Sequence, residues 1–256
     1  MIVRMSAGME ITMKQTDIIN PFQPYMTLEM DGYSQINRTD YGISHFYEFT
    51  IHDEKKHCIK AVPDASIDLL FNIGENKVST YISGTVFGVK KWELGTQDDC
   101  FGVRFQPGQG ILPKDITMEM IVNDDIEIDG DIFGKNLTEK IALAKTMSER
   151  IDIFKKAYED MVLGRNSLSD KEKINEYLVN RISRTKGMIT MRQLEDETNY
   201  SACYLRRIFK SFHGISPKQF AQYIRFQNLL MQADKEGVRY EQVALDCGYY
   251  LSLIHI

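Results

Sequence analysis

Asn199 to Ala233 reads NYSACYLRRIFKSFHGISPKQFAQYIRFQNLLMQA, a run with no Asp or Glu that carries Arg206, Arg207, Lys210, Lys218 and Arg225. In a chain of 256 residues and formal net charge -5, an acid-free basic stretch needs a physical reason. Its punctuation divides it into two helices. Ser201 is placed to cap the first by accepting a hydrogen bond from an otherwise orphaned backbone N–H. That helix buries Leu205, Ile208 and Phe209 and stops at Gly214, a residue type that tolerates the left-handed C-terminal turn. Ser216 caps the next helix, with Pro217 at the first helical position, where its missing N–H costs nothing. Phe220, Ile224 and Leu230 are expected to face inward.

Upstream, Thr190 and Gln193 form a T-x-x-Q capping box that opens a short helix to about Glu197, and Asn199-Tyr200 makes the turn. Before it, Ile174, Leu178 and Ile182 mark another helix, closed near Gly187. A short helix, a tight turn and a capped basic helix make a helix-turn-helix. The second helix presents Arg206, Arg207 and Lys210 along adjoining faces, and its N-terminal half is the part that reaches base edges in a major groove.

The first part of the chain has a different texture. From about Met13 to Phe105, short β-rich runs (ISHFYEFTI, HCIKAV, IDLLFNI, VSTYIS, CFGVRFQ) are separated by Gly, Pro, Asp and Asn, the pattern of strands and turns. Candidate turns lie at Pro21 to Pro24, Asp31-Gly32, Pro63-Asp64, Gly74 to Asn76 and Pro107 to Gly110. Alternation around Phe46-Tyr47-Glu48-Phe49 and Val103-Arg104-Phe105 indicates half-buried strands in a sandwich or small barrel, which can enclose a ligand cavity. After Pro113 the pattern turns helical. Ile116 to Ile121 is ambiguous, a helix starts at Asn136-Leu137-Thr138, and Ser148 is expected to cap one reaching Leu163. Its stripe of Ile151, Phe154, Tyr158 and Met161 packs either on the barrel or on a second subunit.

The expected class is therefore α+β: a β-rich, barrel- or sandwich-like N-terminal domain and an all-α C-terminal domain. The divisions are a tail over residues 1–12, a sensor domain with C-terminal helices over 13–165, and a helical domain over 166–256, parted at the Gly164-Arg165-Asn166-Ser167 break. Charge follows this division, at +3 from Asn166 onward and -8 before it, which fits an acidic regulatory half tethered to a nucleic-acid reader. Cys58, Cys100, Cys203 and Cys247 are scattered without a C-x-x-C pair, as suits a reducing cytoplasm and small core residues. No apolar run reaches the ~18 residues of a membrane span, and no membrane partner is expected.

At this point the residues resemble a known family. S-x-x-Y-L-R-R-x-F-K followed by G-I-S-P-K-Q-F and R-F-Q is similar to the first reader of the AraC/XylS bacterial transcription regulators. Val243-Ala244-Leu245-Asp246-Cys247-Gly248-Tyr249-Tyr250 is similar to the family's second helix-turn-helix. The resemblance spans roughly Ser169 to Tyr250. It implies a tandem helix-turn-helix domain joined by a long helix, with double-stranded DNA as partner, RNA polymerase as a further contact, and activation as the usual sign of regulation. By position it places Ser201, Ala202, Cys203, Arg206 and Arg207 at the DNA, with Lys210 one turn later on phosphate.

The N-terminal segments Val62 to Phe71 and Phe101 to Gly108 resemble effector domains found ahead of such readers. They imply a small-molecule effector or a homodimer. Within them, Asp64, Asp68 and Arg104 are either polar groups of a ligand pocket or turn residues and an internal ion pair, the latter preferred. Two departures stand out. Leu229 occupies a position where the family has a small residue. After Tyr250 the family continues with a second recognition helix, whereas Leu251 to Ile256 do not match it, so the expectation is a reader truncated after about residue 250.

Enzyme classes find little support. His45, His52 and His57 are spaced H-x6-H and H-x4-H, which is not the H-x-H plus Glu of metal-binding cupins. No G-x-S-x-G, Walker A, G-x-G-x-x-G or H-E-x-x-H occurs, so no catalytic residue, metal or cofactor is expected. Lys90-Lys91-Trp92 reads as a strand end. The competing classes are a ligand-binding or interaction protein with a vestigial reader, and a β-domain enzyme fused to a regulator.

Overall fold

The computed structural model describes residues 20–29, 32–50, 58–75, 77–93, 99–110, 112–164 and 168–249. The expected tail at 1–12, His52, His57, the break at 165–167 and everything from Tyr250 on lie outside them. An antiparallel sheet region is followed by a helical region, as the sequence pattern predicts.

Among the described residues eight strands form in chain order: β1 (Ser34–Asn37), β2 (Ile43–Thr50), β3 (Cys58–Ala61), β4 (Asp68–Ile73), β5 (Val78–Ser83), β6 (Lys90–Glu93), β7 (Asp99–Phe105) and β8 (Asp125–Ile128). Six make one sheet in the order β1-β2-β7-β4-β5-β8, and β3 pairs with β6 in a second. All pairings are antiparallel. Lys90-Lys91-Trp92 is thus part of a strand rather than only its end. A short helix, α1 (Pro24–Glu29), starts where the candidate turn at Pro21 to Pro24 ends.

The period-2 alternation of strand side chains gives the large sheet two unlike faces. On one, Phe46, Leu69, Phe71, Ile82, Phe101, Val103 and Phe105 join a buried cluster with α3 (Leu137–Leu143) and α4 (Met147–Leu163). Phe154 of α4 is at its centre, fully buried, with ring centroids 6.0 Å from Phe46, 6.3 Å from Phe71 and 5.6 Å from Tyr158. The stripe Ile151, Phe154, Tyr158 and Met161 therefore packs on the chain's own sheet. The cap of α4 differs from expectation. Thr146, not Ser148, accepts from Glu149 N while the Glu149 carboxylate reaches back to Thr146 N. Only Thr146 has a Glu three residues on, and the reciprocal box decides the start.

After α2 (Met118–Ile121), α3 and α4 come α5 (Asp170–Arg184), α6 (Met191–Thr198), α7 (Ala202–His213), α8 (Pro217–Ala233) and α9 (Tyr240–Asp246). Capping boxes at Ser169, Thr190 and Ser216 start α5, α6 and α8. Ile174, Leu178, Ile182, Leu194, Leu205, Ile208, Phe209, Phe220 and Ile224 form a second buried cluster, which also takes in Ala65 from the sheet region.

The two regions are fastened by specific contacts. Gln227 of α8, with no exposed surface, accepts from Phe22 N at 2.7 Å and donates to Pro63 O at 2.9 Å. Gly108, at φ +70°, lies so close that a Cβ there would sit 3.0 Å from Phe220 and from both Val179 methyls.

Two buried histidines tie stability to pH. Burial, and then the charge of Arg104, push His45 down to about 3, and burial does the same to His213. Both are neutral when folded but take a proton near pH 6.5 when unfolded, so their contribution is complete above that value and is lost as pH falls toward 3. Urea unfolding is expected to show a loss of roughly 2 kcal/mol per histidine between pH 7.5 and pH 5. His213→Gln should flatten the profile by about half.

Candidate nucleic-acid interface and buried charged pocket

The helix-turn-helix is set by local hydrogen bonds. α6 ends at Asn199, which adopts a left-handed φ of 57°, a conformation Asn tolerates better than most residues. Ser201 Oγ accepts from Tyr204 N at 3.4 Å, and the Glu195 carboxylate of α6 accepts from Ala202 N. α7 is thus anchored at its N-terminus to the preceding helix. Glu197, on the same helix, is drawn away from α7 by Arg181 and by the Tyr177 hydroxyl.

α7 then divides by helical spacing. Leu205, Ile208, Phe209 and His213 are buried, and His213 Nε2 lies 2.8 Å from Asn175 Oδ1. Cys203, Arg206, Arg207 and Lys210 fall at i, i+3, i+4 and i+7 and are exposed together with Ser201, while Ala202 is half-buried. Among the described residues, no carboxylate pairs with Arg206, Arg207 or Lys210. Arg207 instead lies over the Tyr204 ring, 5.4 Å from its centroid, a cation–π contact that leaves the guanidinium's edge donors available. The result is a solvent-facing row of three cations beside the exposed Cys203, on a helix buried along its opposite side.

The second site lies on the other face of the sheet. There Tyr47, Asp68, Leu70, Tyr81 and Arg104 look into a cavity of about 120 Å³, closed by Gln23 and Met26 and by Val62 and Val86. Arg104, 5% exposed, donates from Nη1 to Asp64 Oδ2 at 2.6 Å and from Nε to Asp68 Oδ1 at 3.2 Å. Burial alone would lower its pKa, but Asp68 and Asp64 outweigh burial and raise it. Tyr47 OH donates to Asp68 Oδ2 at 2.6 Å, and burial together with that carboxylate holds the phenol well above its usual range. The ring lies flat over Gly102, where an added Cβ would come within 2.0 Å of it. Only glycine at that position admits the tyrosine.

Asp64 takes three donors, Gln23 Nε2 at 2.8 Å and Ser66 N at 3.0 Å besides Arg104. Gln23 also bonds Val62 in both directions, at 2.9 Å each. The sequence reading treats Asp64, Asp68 and Arg104 as either a pocket or an internal ion pair. The geometry makes them an ion-paired cluster that forms part of a cavity wall. Tyr47, Gln23, Ser66 and Gln227 are missed by that reading. Only Tyr47 had a usable signal, since strand alternation puts it on the face opposite Phe46.

Residues 41–127 match the family described as a domain of unknown function (DUF6597). No curated protein sequence matches the chain. Among solved structures, an apo point variant of ToxT from Vibrio cholerae is similar at 14% identity and a TM-score of 0.41, over 83% of this chain and 90% of that one. Vibrio cholerae ToxT bound to (E)-4-(8-methylnaphthalen-1-yl)but-3-enoic acid is similar at 12% identity and a TM-score of 0.37, over 86% and 90%.

Breaking the buried cluster tests its energetics. Arg104→Met leaves two carboxylates without their cation and is expected to cost about 3–5 kcal/mol. Adding Asp64→Asn and Asp68→Asn to that variant should recover most of the loss, read as midpoints of urea unfolding.

Proposed function

We propose that the chain is a sequence-specific DNA-binding transcription regulator, with α7 as a recognition helix and the cavity of the sheet region as an effector site. The observation that carries the reading is the unpaired row Arg206, Arg207 and Lys210 on the exposed side of a capped helix-turn-helix. A protein that used these cations for stability would pair them, as it pairs Arg181 with Glu197. Left free, they suit a polyanion, and the matching motifs of the AraC/XylS regulators support the same use. In this reading Arg206 and Arg207 make bidentate contacts to guanine edges, Ser201, Ala202 and Cys203 lie against neighbouring bases, and Lys210 holds a phosphate. The chain acts in the cytoplasm, as an activator that also contacts RNA polymerase, and the division near residue 165 separates sensor from reader. A membrane-spanning role finds no support, since among the described residues no helix is long and apolar enough to cross a bilayer.

Regulation would run through Gln227. Its two partners, Phe22 and Pro63, are the immediate neighbours of Gln23 and Asp64 in the cavity wall. A ligand that rearranges that wall would change how α8, and the α7 it packs on, are held. The mechanism is then a shift between two placements of the reader.

Selection from a random duplex pool with the full chain, followed by titration at several salt concentrations, tests the reading. Enrichment of a defined sequence is expected. Arg206→Ala and Arg207→Ala should each weaken it by roughly 5- to 150-fold and relax specificity at a single position. Lys210→Ala should weaken all sequences alike and reduce the salt slope by about 1. Unchanged, salt-insensitive binding in the double arginine variant would defeat the proposal.

A further inference from the structure

The charges around the cavity do not cancel. Asp64, Asp68 and Asp125 belong to its wall, against Arg104 as the one cation among the described lining residues, and Lys90 outside the wall is shared between Asp125 and Asp124 at 3.3 Å each. His45, buried beside Arg104, is neutral. One negative charge is left over, and its position is legible. Asp64 is closed by Arg104, Gln23 and Ser66 N. Asp68 takes one donor on each oxygen, from Arg104 and from Tyr47, and its side chain is 17% exposed. A carboxylate has about four acceptor sites, so Asp68 has room for two further donors on its open side.

A second, independent feature lies in the same wall. Ser66 is 4% exposed, and its hydroxyl has no hydrogen-bond partner. Buried hydroxyls are ordinarily satisfied, and one lining a cavity is satisfied by what the cavity holds. Apart from Gln23 and Ser83, the rest of the wall is apolar or aromatic, with Met26, Val62, Leu70 and Val86 beside the rings of Tyr47 and Tyr81. At about 120 Å³ the space is slightly smaller than the ~150 Å³ engineered cavity that accepts benzene.

We propose that this pocket takes a small organic cation, a primary amine with a compact apolar body, its ammonium donating to Asp68 and Ser66. The proposal rests on the effector reading of the cavity and adds the ligand's charge to it. Arg104 does not oppose such a ligand, because both carboxylates already claim its charge. An anion of the same size meets the uncancelled charge and is repelled in a site where little water screens it.

Calorimetric titration of the full chain at pH 7 with benzylamine, benzyl alcohol and benzoate separates charge from shape. Benzylamine is expected to bind saturably, at least tenfold tighter than benzyl alcohol, and benzoate not at all. Asp68→Asn should abolish the preference for the amine. Leu70→Phe, which fills the cavity without touching a carboxylate, should abolish amine binding while a normal urea midpoint shows that the chain is folded. Benzoate or benzyl alcohol binding as tightly as benzylamine, no saturable binding of the amine, or a preference that survives Asp68→Asn would each overturn the proposal. Because these titrations contain no DNA, the two readings fail separately. An amine that binds as described but leaves DNA affinity unchanged defeats the effector reading alone. An alcohol that binds preferentially and alters DNA affinity defeats the cationic class alone.

Discussion

The buried guanidinium of Arg104 is the constraint on which the sheet region depends. Moving a charge into a protein interior is tolerable only when it is paired and its hydrogen bonds are met, and the chain meets them by bending a strap, Val62 to Ser66, down onto the sheet. Every residue of that strap is then committed. The Val62 N–H and carbonyl both bond the Gln23 side-chain amide, Asp64 takes Arg104, and Pro63 O is left pointing at Gln227. Ala65 is held at a left-handed φ of 61° by its N–H donating to Thr85 Oγ1 and its carbonyl accepting from Gly108 N. A non-glycine residue keeps such a backbone only where its surroundings over-determine it. The methyl group so presented enters the helical cluster, so one ion pair sets both the cavity wall and the surface on which the helices rest.

The sheet's two faces divide the work. The face under α4 is filled mainly by aromatic and aliphatic side chains, and any rearrangement there would break that close packing. The opposite face is polar, hydrogen-bonded and incompletely filled. Rearrangement there exchanges hydrogen bonds, each worth only about 0.5–1.5 kcal/mol net, whereas opening the aromatic face would expose several large side chains at once. Any movement the fold permits is therefore concentrated beside the cavity, where the strap and Phe22 meet α8.

How much of this was readable follows from the range of each interaction. The helix starts at Ser169, Thr190, Ser201 and Ser216 lie within three residues of the groups they cap, so the helical region is legible nearly residue by residue. Thr146 was equally legible through Glu149, and was missed because Ser148 is nearer the apolar stripe. The basic face of α7 follows from spacing alone. The cavity does not. Alternation in Val103-Arg104-Phe105 puts Arg104 opposite the core, but its partners depend on the register that sets Asp68 across from it on β4 and on the strap 40 residues away. Gln227 had no local signal at all, since its partners are 205 and 164 residues distant. A glutamine in a helix that also carries Gln219, Gln222, Asn228 and Gln232 reads as one more surface residue until the surface it meets is known.

That distance also bears on how the two regions can communicate. A ligand shifts an equilibrium only by its difference in affinity for the two states, so occupancy of the cavity matters to α8 only if the occupied wall differs from the empty one. Contacts with Leu70 or Tyr81 leave the strap untouched and would be silent. Contacts with Asp68 are different, because Asp68 shares Arg104 with Asp64, and Asp64 shares Gln23 with Val62. Drawing Asp68 toward a ligand weakens its 3.2 Å bond to Arg104 and leaves that cation to Asp64, tightening the strap that carries Pro63. By linkage any such coupling runs both ways: a partner of the helical region that favours one placement of α8 must favour one arrangement of the cavity wall. The bonds of Gln227 to Phe22 and Pro63 are short and fully desolvated at the glutamine, and they offer the most direct hydrogen-bonded route between that wall and the helix on which α7 packs.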